Sequence, residues 1–291
     1  MKYLPLLALA LLLLACDTVE QDSFREQVVI EAYLIAGNPM PEVRVSRTLP
    51  AFEEYTFERA ALRNAAVVIT DTDAGMAIPF REEQPGIYRP HGNVPTIREG
   101  GRYAIQVQFN DRDEVVTAQT RIPLQFDILG TVPDEVVFQS SEQLEIGITA
   151  TAPFNGQNVY IFNTIAQNPI IQNLTPFYFD LVDRDNADIE DFFNNSSGLI
   201  NEGNFTINED GTITLRIPWL GIAFFGVNDI VINSVDKNIN DLLRSQDVQL
   251  GGSTLPPGEI PNVIYNVDGG IGIFGSLSAD TVTTRFVRPR P

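Results

Sequence analysis

The stretch AAVVITDTDAGMAIPF at 65–80 decides the class of fold. Two apolar, β-branched runs, Ala65–Thr70 and Met76–Phe80, flank Asp71-Thr72-Asp73-Ala74-Gly75. Branched side chains pack well on a pleated surface, and Asp and Gly supply turn geometry, so the segment reads as a β-hairpin. The same texture extends outward on both sides. Upstream, Gln27–Ala36 reads as a strand entering a turn at Gly37-Asn38-Pro39. Glu42–Thr48 alternates, with Val43 and Val45 on one face and Arg44 and Ser46 on the other. Residues 57–63 (FERAALR) suit a single helical turn. Downstream, Gly86–Arg89, Arg102–Phe109 and Glu114–Ile122 bring the set to about seven strands. That spacing predicts an Ig-like or prealbumin-like β-sandwich over 27–123.

Residues 124–291 predict a second β-rich domain with one short helix, so the whole chain is all-β. Gln143–Thr151 and Asn158–Ile165 suit strands. Asn204–Asn208 and Thr212–Ile217 form a hairpin through Glu209-Asp210-Gly211. Asp236 is placed to cap a helix whose buried stripe is Ile239, Leu242 and Leu243. Final strands are expected at Asn262–Val267 and Thr281–Val287.

With 44% hydrophobic and 20% charged residues, the chain can build cores and is not composed like a disordered one. Its 19 basic and 38 acidic residues give a formal charge of −19. Such a field repels phosphate backbones and excludes nucleic acid as a partner. It also disfavours docking on anionic lipid. The acidic surplus suits solubility or a saline habitat, and secondarily a basic partner.

At the start, MKYLPLLALALLLLAC combines Lys2 with an apolar run of 12 residues, Leu4 to Ala15. About 17–25 residues are needed to span a bilayer, so residues 1–15 read as a signal peptide and not as a membrane helix. Leu13-Leu14-Ala15-Cys16 resembles the bacterial lipobox, in which the cysteine at the cut receives lipid. Cys16 is the only cysteine, so no intramolecular disulfide is available. The expectation is a lipid anchor on Cys16, a cofactor-free chain, and a polar tether over 16–26 reaching at most roughly 33 Å. Without Lys2 the cleaved chain carries 18 basic residues and a charge of −20. Acidic residues directly after Cys16 are similar to surface-export signals of Bacteroidota lipoproteins.

Other constellations carry the residue types of a reactive or binding site. Gly270-Ile-Gly272-Ile-Phe-Gly275 matches G-x-G-x-x-G, but no helix and no βαβ unit follows, so close strand passage is the better account. Asp183, Asp185, Asp188, Glu190 and Asp191 invite a calcium reading, yet an EF-hand loop would need Gly at 188 and Glu at 194, where Asp188 and Asn194 stand. A solvated acidic loop over 183–191 is expected, with no metal assigned. His91, the only histidine, lies in a loop, which leaves the usual nucleophilic triads and Cys/His zinc sites without members. A carboxylate pair for glycoside hydrolysis is not singled out by any spacing. No catalytic residue is assigned and no enzyme is expected. IPWLGIAFFGV at 217–227 holds the only tryptophan, Trp219. It reads as a core strand, or as an aromatic surface for a glycan, another nutrient or a protein built from Trp219, Phe224 and Phe225, extended by Phe192 and Phe193 if they point outward.

Several segments together resemble one family: VVIEAYLIAGNPMPEVRVSRTLP at 28–50, AAVVITDTDAG at 65–75, GIYRP at 86–90 with GGRYAIQVQF at 100–109, and IPNVIYNVDGGIGIFGSLSAD at 260–280. They are similar to the domain-of-unknown-function family 4249 of Bacteroidota and related phyla. The glycine-rich last segment is the most specific, and the helix ending Leu242-Leu243-Arg244-Ser245 falls where the family has one. The resemblance implies an outer-membrane lipoprotein, often encoded near TonB-dependent transporters, with no catalytic residues. Together with the expected anchor and the missing catalytic set, it leads to the expectation of a non-catalytic binding or accessory subunit.

Overall fold

The computed structural model describes residues 24–110, 113–149, 159–200, 205–249 and 262–289. The leader, Cys16 and most of the tether lie outside the described residues.

The first half is a sandwich built from β1 (Val28–Ile35), β2 (Val43–Arg47), the one-turn helix α1 (Phe57–Ala60), β3 (Ala65–Asp71), β4 (Met76–Gln84), β5 (Ile87–Pro90), β6 (Arg102–Phe109) and β7 (Val115–Arg121). Alternation drives the layering. In β1, Val28, Ile30, Ala32 and Leu34 point into the core while Glu31 and Tyr33 face out. The predicted hairpin is β3–β4, with Val68 opposite Pro79 and Asp71 opposite Met76. Its turn is fixed by Asp71, whose Oδ1 accepts from the N–H groups of Asp73 and Ala74 and which Arg98 clamps through two guanidinium nitrogens. Beyond Pro79, β4 leaves β3 and pairs with β5, so one strand passes from one layer to the other. Between the layers lie Val43, Ile69, Tyr88, Tyr103, Ile105, Val107 and Phe274. Each such side chain contributes about 1.5–3 kcal/mol by leaving water.

The second half follows the same logic. Its strands are β8 (Ile128–Leu129), β9 (Glu135–Val137), β10 (Glu145–Ile148), β11 (Tyr160–Ala166), β12 (Asn194–Ser196), β13 (Phe205–Ile207), β14 (Ile213–Arg216), β15 (Gly226–Val235) and β17 (Ile271–Val287), with helices α2 (Pro176–Asp185) and α3 (Lys237–Asp247), while the short β16 (Val267–Asp268) returns to pair with β7 of the first sandwich. A small sheet ordered β13-β14-β10-β8 faces the layer of β11, β15 and β17. Ile146, Ile148, Ile213 and Leu215 from the small sheet meet Tyr160, Phe162, Ile230, Ile232 and Phe286 from the other. The expected hairpin at Asn204–Ile217 is β13–β14. Asp236 caps α3 as expected, its Oδ1 accepting from Ile239 N–H at 2.9 Å, and Ile239 and Leu242 are buried.

One strand belongs to both halves. Residues 271–277 of β17 run parallel to β1, and residues 277–286 run antiparallel to β15. At about 3.3 Å per residue this strand extends some 55 Å. It starts ten residues before the expected Thr281, because its glycines hide the strand pattern. An ideal Cβ on Gly270 would lie 2.5 Å from the Val28 carbonyl oxygen, and one on Gly275 would lie 2.5 Å from Ile239 Cγ1. The G-x-G-x-x-G stretch is thus where β17 passes close to β1 and α3. The strand expected over Asn262–Val267 shrinks to Val267–Asp268. Asn266 replaces ladder bonds with its side chain, accepting from Phe274 N–H and donating to the carbonyls of Phe274 and Gln119.

Candidate functional site

The end of the second sandwich farthest from β1 carries the Trp219 segment. Here β11 stops at Ala166, and the chain inserts 167–193 before rejoining the sheet as β12. The insert is held by burial of Leu174 and Tyr178, with Leu181, Val182, Ile189, Phe192 and Phe193, against Ala223 and Phe224. Polar groups lock the seam. Thr175 Oγ1 donates to Ile222 O at 2.9 Å, and Tyr178 Oη donates to Leu220 O at 2.5 Å. Asn195 Nδ2 donates to Tyr178 Oη at 2.7 Å and to Gly221 O at 2.9 Å. Burial pushes the Tyr178 phenol up, opposed by the Asn195 bond.

These placements correct the expected aromatic surface. Phe224 is 1% exposed and Phe225 is 8% exposed, so neither ring meets solvent. Phe225 packs edge-on against Phe138 at 5.4 Å, under the Arg288 guanidinium. Phe192 and Phe193 turn inward against the insert. Trp219 is half-buried and edge-on to Phe138 at 5.5 Å. Large rings gain most by leaving water, and this insert supplies the cover. Most of the stretch is core, as expected, but it becomes a strand only at Gly226, after a 3-10 turn at Trp219–Gly221. What faces solvent at this tip is Ile170, Ile171, Phe177, Phe179 and Leu220, beside Asp180 and Asp183. Sequence reasoning missed this surface because it missed α2. The available signal was Thr175-Pro176, a helix start with Pro at its first position, and Asn186, whose φ of 53° ends it.

The remaining candidates fall elsewhere. Asp183 and Asp185 end α2, and Asp188 caps a short 3-10 turn, accepting from Glu190 N–H at 3.0 Å. Among the described residues no group of three His, Cys, Asp or Glu side chains is gathered as a metal site. His91 lies at the surface, its Nε2 3.4 Å from an Arg81 guanidinium nitrogen, beside an open depression of about 430 Å³ that Asn64, Pro79 and Asn110 also line.

The most unusual ionisable group is Asp236, at the junction of the two sandwiches. Thr120 Oγ1 from β7 donates to its Oδ2 at 2.5 Å, and Ser276 Oγ from β17 lies 2.7 Å from Thr120 Oγ1. Burial raises this carboxyl to about 6, against the opposing pull of those hydroxyls and of the α3 N–H it caps. The knot ties β7, β17 and α3 together, which gives Asp236 a structural role.

A family model described as a domain of unknown function, DUF4249, matches residues 16–283. The chain belongs to DUF4249. No curated protein matches the sequence. Among solved structures, this DUF4249 chain is similar to three N-terminal domains of the Highly Immunogenic Outer Capsid protein of bacteriophage RB49, at 10% identity and a TM-score of 0.22, covering 91% of this chain and 71% of that one. A tetra-tandem repeat from the extending region of a large adhesion protein gives 12% and 0.24, covering 90% and 49%. A titin I-band fragment, I67–I69, gives 7% and 0.22, covering 91% and 66%. TM-scores of this size carry no argument about activity or partners.

Proposed function

We propose that this DUF4249 protein is a non-catalytic lipoprotein of the bacterial outer membrane that serves as a binding or accessory subunit, beside a TonB-dependent transporter. The observation that carries the proposal is the separation of its two ends. β1 starts next to residue 271 of β17, while the insert with Phe177, Phe179 and Leu220 caps the end near residue 286. A chain held by lipid on Cys16 would display that insert about 50 Å further out. Support for the anchor comes from Leu13-Leu14-Ala15-Cys16, which resembles a lipobox, directly after an apolar leader.

Two experiments test it. Cells fed radiolabelled palmitate should label the protein, and Cys16→Ser should abolish the label. Crosslinking in intact cells, read by mass spectrometry, should join residues of 170–180 or Leu220 to a transporter or another envelope protein. Crosslinks confined to the first sandwich would overturn the display role. Glycan capture at Trp219 is the weaker reading, since Trp219 packs on Phe138 and its aromatic neighbours are buried.

A further inference from the structure

The opposite end of the molecule has its own unexplained feature. Phe52 is 90% exposed and Tyr55 is 63% exposed, in the loop between β2 and α1. Phe24, at the start of the described chain, is 48% exposed. These rings share one end of the sandwich. Gln27 N–H donates to Thr48 Oγ1 and Thr48 N–H to Gln27 O, both at 3.0 Å, so the chain entering β1 and the loop leaving β2 lie side by side.

The loop is braced, not slack. Glu53 N–H donates to Pro50 O at 2.9 Å. Arg59 donates to Glu54 O at 3.0 Å and to the Glu53 carboxylate at 2.9 Å. Phe52 therefore sits on a turn already ordered for contact, so docking costs little further entropy. Arg47 pairs with Glu26 and Arg59 with Glu53, and Arg25 is matched in number by Glu54, so this end carries no net cationic surplus to attract anionic headgroups.

We propose that this end rests on a zwitterionic lipid interface, with Phe52 and Tyr55 seated among the headgroups. The inference rests on the lipid anchor at Cys16. Phe24 lies eight steps along the chain from Cys16, a contour of at most about 28 Å, so the bilayer is the surface these rings reach first. Aromatic rings favour that boundary, where Tyr buries its ring and keeps its hydroxyl wet.

The test uses the full lipidated chain in vesicles of phosphatidylcholine and phosphatidylethanolamine. Cys16 is acylated, so Ala51→Cys, exposed beside Phe52, introduces the single free thiol for an environment-sensitive dye and leaves both rings in place; Phe177→Cys provides the distal reference. Flotation with the vesicles reads the anchor by itself. The expected result is a blue-shifted dye at position 51, quenched several-fold more by nitroxide-labelled lipid than the dye at 177. A chain that floats while both dyes behave as in water overturns the docking and leaves the anchor standing. A chain that does not float overturns the anchor reading and this inference with it.

Discussion

At Gly272 the backbone has a φ of +110°, and an ideal Cβ there would lie 2.1 Å from the Ile30 carbonyl oxygen. Gly92 has a comparable φ of +98° with nothing within 4 Å. The pair separates conformational strain from collision. Gly92→Ala should cost about 1–2 kcal/mol in urea unfolding, from the backbone alone. Gly272→Ala adds a clash with a ladder carbonyl and should cost at least roughly 3 kcal/mol. Equal midpoint shifts would refute the close-passage account of the glycine motif. Asp236 makes a residue-scale prediction of opposite character. Its folded value near 6 lies above the ordinary 3.8, so the native state holds a proton that the unfolded chain has lost between those values. Stability from this group is full below about pH 4, falls as pH rises to about 6, and is flat above, a loss of about 3 kcal/mol. Asp236→Asn keeps a capping side chain without the buried charge. Subtracting its pH–stability curve from the wild type's should expose a decline confined to pH 4–6, and a featureless difference would deny the buried carboxylate.

Elements were legible where side chains kept a clean period. The β3–β4 hairpin, β1, β6, β7 and β14 all alternate, and α3 shows its stripe behind Asp236. β15 was not legible, because Asn228, Asn233 and Ser234 are buried polar residues that break the apolar rhythm, Asn228 donating to the nearby Phe224 O and Asn233 across to Ile161 O on β11. α2 was hidden by aromatics on several sides: Tyr178 faces the core, while Phe177 and Phe179 sit on its flanks. The candidate tip was illegible for the same reason, since knowing that Phe224 is covered requires knowing what covers it. Tyr178 tests that packing. Tyr178→Phe keeps the ring but leaves Leu220 O with only the long 3.4 Å bond from Asn195, and takes an acceptor from Asn195, a cost of about 1–2 kcal/mol. Hydrogen exchange should quicken in 171–195 and around Trp219 while 65–109 stays protected. Uniform loosening of the whole chain would show that the insert is not a local cover.

At the scale of the whole molecule, the question is whether two cores behave as two domains. The sandwich expected over 27–123 and the β-rich part from 124 onward have separate sets of buried side chains. Yet β17 is a strand of both, Phe274 fills the first core and Phe286 the second, and Thr120, Asp236 and Ser276 join β7 to α3 and β17 between them. Unfolding either sandwich would strip β17 of one flank and expose the buried Asp236 knot, so the cost is shared. Ile105→Ala makes this measurable. Ile105 is buried in the first core, and its truncation should cost about 2–5 kcal/mol there. Trp219, the only tryptophan, reports on the second core alone. The urea midpoint followed by Trp219 fluorescence should fall together with the midpoint followed by hydrogen exchange in 65–109, as one cooperative transition. A Trp219 transition that stays where it was would mean that the shared strand fails to couple the halves, and that the first sandwich melts as a unit of its own.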